Sequence, residues 1–289
     1  MVLPSPAQKS PRFVHVVNPY LCPHGSEGDR VQRFTFETMR KAKLAYEALY
    51  AQPSGEEMVA QVAAAYEEDQ SYARDFFSHI ESIHRSALDV GKFQVPRKLP
   101  LLFDVLAAGR LHAGPLDYMI LTNTDICLLM GFYDAMATLI GLGYDSIVVN
   151  RRTVEPFPPD PRLAPIISAS MGACHPGFDC FVFRAGLFDD FIRGTSVIGR
   201  GWVMRPLLYN LVAKAGRMIM LKDVHLTYHL GDDNAWSGKE NSDYDTHNLL
   251  EAYKLIALSG PKERERLKDF CRTHPEFFGH EVEFPPPIQ

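Results

Sequence analysis

The run Tyr118-Met119-Ile120-Leu121-Thr122 is almost continuously apolar and stops on Asn123-Thr124-Asp125. A strand without polar alternation must be covered on both faces, which calls for a sheet with helices packed on either side. Other strand patterns surround it. Phe13-Val14-His15-Val16-Val17 is stopped by Asn18-Pro19, where proline cannot donate to a ladder. Ser146-Ile147-Val148-Val149-Asn150 runs into Arg151-Arg152, Cys180-Phe181-Val182-Phe183 follows His175 to Asp179, and a short run lies near Met218 to Leu221. Between them the apolar spacing predicts helices over 30–50, 56–68, 71–90, 99–106, 131–142, 203–216, 243–258 and 261–272. Strands alternating with helices predict an α/β fold, a mixed and mostly parallel sheet flanked by helices. The Pro-rich ends, 1–11 and 284–289, are expected to fray as tails around one domain over 12–283. The stretch 153–165, with five prolines, reads as a stiff loop.

The bulk numbers narrow the function classes. A chain of 289 residues with 46% hydrophobic and 22% charged residues can bury a large core. A net charge of -5 argues against a broad nucleic-acid footprint, which needs clustered Lys and Arg. Cys22, Cys127, Cys174, Cys180 and Cys271 are scattered without a CxxC pair, as expected of reduced thiols. The first residues, MVLPSPAQKSPR, lack the apolar core of a signal peptide, and no run is long enough to span a bilayer. A cytoplasmic protein is the expectation. The phosphate-binding GxxxxGK[ST], the dinucleotide GxGxxG after the first strand and the nucleophile elbow GxSxG are all missing.

Open α/β sheets bind ligands beyond the carboxyl ends of their strands, and the polar residues gather there: Asn18, Asn123, Asp125, Arg151 and Arg152. Singly, each could cap a helix or close a turn. Asp125 is the sharpest, because a carboxylate closing an apolar strand needs a cation or a donor. A hard divalent ion, Mn2+ or Mg2+, meets that need with oxygen ligands; the rival is a cap for the following helix. His225 and His229 stand four apart beside Asp223, Asp232 and Asp233 in a segment that reads as strand end and loop, which favours a single His ligand, His229. Arg97, Lys98, Arg151 and Arg152 are candidates to neutralise a diphosphate. Pro19 and Tyr20 could stack on a base or ribose, and Trp202 and Trp236 could wall a sugar site.

The segment DYMILTNTDICLLMGFYDAMATLIGLGYDSIVVNRR resembles the middle of a GT-A glycosyltransferase, where an apolar strand ends in a DxD-type motif, a helix follows and the next strand runs parallel. HPGFDCFVFRAGLFDDF resembles the family's acceptor-side element, HVVNPY its opening nucleotide-binding strand, and KDVHLTYHLGDDNAW the late position where a His completes metal binding. The likeness covers most of 12–236. It implies a nucleotide-binding half over 12–150 and an acceptor half with C-terminal helices over 151–283. It implies transfer of a sugar from a nucleotide-diphosphate sugar to an acceptor hydroxyl. Asp125 and His229 would hold the ion, Asn18 to Tyr20, Arg97, Asn123, Arg151, Arg152 and Trp202 would bind the donor, and Asp179, or else His175, would be the base. Two departures stand out: Asn123 replaces the first Asp of DxD, and IGRGWVMRP occupies the region of the acidic pair that often supplies the base. They leave open a non-catalytic nucleotide-sugar binder. A metal-dependent hydrolase or phosphoesterase using Asp125, His175, Asp179, His225 and His229 is the alternative from another class.

Overall fold

In the computed structural model, residues 10–50, 55–155, 158–231 and 241–275 are described. Nine strands form one mixed sheet: β1 (Phe13–Val17), β2 (Val59–Ala65), β3 (His79–Ser82), β4 (Tyr118–Thr122), β5 (Cys127–Leu128), β6 (Ser146–Val154), β7 (Ala173–Arg184), β8 (Met218–Leu221) and β9 (Thr227–Leu230). Their order is β3-β2-β1-β4-β7-β6-β9-β5, with β8 also on β6. β3, β2, β1 and β4 are parallel. β7 lies antiparallel between β4 and β6, so β6 again points the same way as β4. All these strands but β7 therefore end at one edge, and β7 begins there.

The described residues also form eight α-helices: α1 (Glu27–Tyr50), α2 (Gln70–Ala73), α3 (Leu102–Arg110), α4 (Phe132–Gly141), α5 (Ala164–Ile167), α6 (Arg205–Lys214), α7 (Ser242–Leu258) and α8 (Pro261–Thr273). Alternation along β1 divides the core into two layers. Phe13 and Val17 face α1 and α4 with Ile120, Val149 and Val182. Val14 and Val16 face α3, α6, α7 and α8 with Met119, Leu121, Phe181 and Phe183. α3 comes so near β1 at Gly109 that a Cβ there would lie 2.9 Å from Val16 Cβ, so the crossing needs glycine.

The expected helices over 56–68 and 71–90 are not formed. Residues 59–65, VAQVAAA, are the buried strand β2, covered on both faces and so without alternation to read. Its alanines carry helix propensity, which burial between β1 and β3 overrides. The second span breaks into the one-turn α2, β3 and a short turn capped reciprocally by Ser86 and Asp89. β6 and β7 also run past the core as a hairpin, so β6 extends to Val154 into the expected loop, and α5 forms beyond it. The tails 1–9 and 276–289 and the polar segment 232–240, with Asp232, Asp233 and Trp236, lie outside the described residues. All five cysteines are free thiols. No helix among the described residues is long and apolar enough to cross a membrane.

Candidate active site

β4 delivers Thr122 to the edge, and the chain turns over Asn123 to Asp125, closed by Ile126 N donating to Asn123 O at 3.2 Å. It does not enter α4 at once. The two-residue β5 pairs antiparallel with β9, Cys127 opposite Tyr228, and α4 starts only after Gly131. Asp125 is therefore no cap for α4. The β5–β9 pairing instead carries His229 to it, with Nε2 3.4 Å from Asp125 Oδ2. His229 Nδ1 donates to Gly231 O at 2.6 Å; a carbonyl only accepts, so this bond fixes the proton on Nδ1 and aims Nε2 at the carboxylate. Burial pulls the His229 pKa down, but the neighbouring carboxylate outweighs it and the net shift is upward. Burial likewise favours protonated Asp125, and His229 reverses that, holding the carboxyl below its ordinary value. Asp125 Oδ1 is buried without a hydrogen-bond partner among the described residues. Those residues contain no group of three or more His, Cys, Asp or Glu placed to hold a metal. Asp125 and His229 are a pair of donors, to which a substrate's oxygens could add.

The second part of the site comes from a bulge. The β6–β7 register slips on either side of Asn150, and such slips re-aim side chains. Asn150 Nδ2 donates to His175 O at 3.1 Å, fastening the start of β7. Arg151 then reaches across: its Nη1 lies 3.4 Å from Asp179 Oδ2 and its Nη2 3.3 Å from His175 Nε2. Asp179 immediately precedes Cys180, which pairs with Thr122 in an antiparallel ladder, so it sits next to Asn123 at the β4 end. Burial raises the Asp179 pKa, the Arg151 guanidinium opposes that, and the charge on Asp125 adds to it. Asp179 Oδ2 is buried and accepts no hydrogen bond from the described residues. Gly177 N donates to His175 Nδ1 at 2.9 Å. Both ring nitrogens of His175 are thus engaged, Nδ1 by Gly177 N and Nε2 by Arg151.

The remaining candidates are distributed more widely. Arg152 is committed elsewhere, to Asp223, Met171 O and Gly172 O. His225 packs its ring edge-on to Tyr228, 5.9 Å between centroids, rather than joining His229. At the end of β1, Asn18 Nδ2 donates to Ala64 O at 2.6 Å, while Pro19 is buried and Tyr20 exposed. Two residues that the sequence did not single out secure this loop. Gln32 on α1 bonds both the N and the O of Tyr20, at 3.2 and 2.9 Å, and Asp69 accepts from Leu21 N at 2.7 Å. Asp69 is itself buried, and burial raises its pKa. The signal for it was the end of β2, hidden while that segment read as helix. Arg97 lies in the loop between β3 and α3, its N donating to Tyr244 Oη at 2.9 Å. Trp202 stands exposed on the loop before α6.

No protein-family model matches the chain, and no curated protein does. Its structure is similar to that of S. aureus TarS 1-349 in complex with UDP-GlcNAc, at TM-score 0.50 and 14% identity, over 92% of this chain and 73% of that one. It is similar also to TarS 1-349 in complex with UDP, at TM-score 0.51 and 14% identity, over 92% and 72% of the two chains. The likeness is one of fold, and the fold is GT-A-like.

Proposed function

We propose that the chain is a glycosyltransferase that moves a sugar from a nucleotide-diphosphate sugar to an acceptor hydroxyl. The observation that carries the reading is the convergence of Asp125, His229, Asp179 and Arg151 at one carboxyl edge of a GT-A-like sheet. The TarS structures of this fold, in complex with UDP and UDP-GlcNAc, make uridine nucleotides the first donors to try.

In this reading the loop from Asn18 to Leu21, tied down by Gln32 and Asp69, seats the nucleoside. Asp125 and His229 would hold Mn2+ or Mg2+. They fit that role because one carboxylate oxygen is buried without a partner and the imidazole lone pair is already turned toward the same carboxylate. Bound there, the ion would neutralise the charge that grows on the leaving diphosphate. Asp179 takes the acceptor hydroxyl proton as general base, and its raised pKa suits it to hold that proton. Arg151 orients Asp179 and keeps a positive charge beside it. Asn123 offers an amide to a ribose or sugar hydroxyl.

A thermal-shift screen of UDP, GDP and other nucleoside diphosphates, each with and without Mn2+, tests the reading on the full chain. A nucleotide at a hundred times its Kd stabilises by about 2.7 kcal/mol. The expected result is stabilisation by one nucleotide that requires Mn2+ in the parent and is lost in Asp125→Ala. No stabilisation by any nucleoside diphosphate would overturn the transferase reading, and equal stabilisation of Asp125→Ala would overturn the metal assignment.

A further inference from the structure

Trp202 is the one non-glycine residue among those described whose backbone is left-handed, with φ 64°. That conformation is costly for a bulky side chain and persists where the surroundings over-determine it. Here they do. Gly201 N donates to Asp245 Oδ1 at 2.8 Å, and Asn248 Nδ2 donates to Gly201 O at 2.9 Å. Arg200 Nη2 reaches Asp245 Oδ2 at 3.1 Å and Asn241 O at 3.2 Å. The buried Asn248 also clamps Val197, accepting from its N at 2.7 Å and donating to its O at 3.0 Å. These bonds turn the indole outward: it remains 48% exposed, with the Arg205 guanidinium carbon 3.9 Å from its ring centroid. A core tryptophan would be turned inward. This one is held in a strained conformation that presents it to solvent.

Its place in the fold says what it faces. Val197 bridges to Leu101 and Ile198 N donates to Pro100 O, so the loop before α6 joins the β3–α3 loop at the carboxyl edge that carries Asp125 and Asp179. It approaches from the sheet face covered by α3, α6 and α7, whereas the Asn18–Leu21 loop leads into α1 on the other face. The two loops thus reach that edge from opposite faces of the sheet.

We infer that Trp202 is the stacking platform for a pyranose ring of the acceptor, so the acceptor is a carbohydrate; this deepens, and rests on, the transferase reading. A pyranose has an apolar C–H face and a rim of hydroxyls. The indole gives that face a flat apolar partner, and the partly exposed Asp245 and Arg205 beside it provide a polar rim. The test uses the full chain carrying Trp236→Phe, so that Trp202 is its sole tryptophan, titrated separately with cellobiose, lactose, maltose, chitobiose and UDP. The expected result is a saturable change in Trp202 emission with at least one disaccharide and none with UDP alone. Saturation-transfer NMR with that disaccharide should show its affinity roughly tenfold weaker in Trp202→Ala. A response to UDP alone would assign the platform to the donor and overturn the inference. So would silence toward every disaccharide, or undiminished disaccharide binding by Trp202→Ala. UDP binding by the parent, followed by thermal shift, is read independently, so failure of the transferase reading is separable from failure of this one.

Discussion

Replacing His15 by Gln changes how the stability of the protein depends on pH. His15 lies fully buried on β1, with Nδ1 2.9 Å from Tyr133 Oη and Nε2 2.9 Å from Thr122 Oγ1, directly beneath the turn that carries Asp125. Burial lowers its pKa from 6.5 to about 3. The unfolded chain therefore takes up a proton below pH 6.5 that the folded chain refuses until about pH 3. The stability linked to His15 is fully present above pH 6.5 and is lost as pH falls toward 3. One proton corresponds to about 1.4 kcal/mol per pH unit, so the loss between pH 6.5 and pH 5 is about 2 kcal/mol. Urea unfolding of the parent and His15→Gln from pH 7.5 to 5 isolates this contribution, because every other titrating group is common to both. The gap between the two chains should shrink by about 2 kcal/mol on acidification. A gap independent of pH would refute the reasoning, since it would mean that His15 can be protonated in the folded state without cost.

Asp179→Asn keeps the shape of the side chain and removes the proton acceptor; turnover should fall about 100-fold or more, measured as nucleotide release in the presence of acceptor, with nucleotide affinity little changed. Arg151→Met should destabilise by about 3 kcal/mol in urea unfolding, because it strips the counter-charge from a buried carboxylate. Adding Asp179→Asn to Arg151→Met should recover part of that loss, whereas simple additivity would show that the two residues do not interact.

The fold was legible where burial writes a plain pattern. β4 announced itself as an apolar run, and its polar close marked the edge at which Asp125 sits. β1 and β6 did the same for Asn18 and Arg151. β2 was not legible, because a strand of small residues buried on both sides has neither alternation nor β-branched bulk throughout, and its alanines suit a helix equally well. That single misreading also hid Asp69, which looks like one acid among Glu67, Glu68 and Asp69 until it is placed at a strand end.

The contacts within the site were illegible for a different reason: they arise from pairing between distant segments. Asp125 meets His229 only because a two-residue strand after the turn adds to β9, and no local pattern foretells a strand so short. Asp179 and Arg151 lie 28 positions apart and meet because β7 enters the sheet against the direction of its neighbours. That reversal puts the start of β7 at the edge where β4 and β6 end, so residues early in one strand face residues late in, or just after, two others. The bulge around Asn150 then turns Arg151 toward Asp179 instead of leaving it in the alternation of β6. The adjacent Arg152 goes the other way, to Asp223 and the backbone of Met171 and Gly172. Two consecutive arginines that look interchangeable in the sequence thus acquire different work from a register slip. One holds the proposed base, and the other braces the hairpin that frames it.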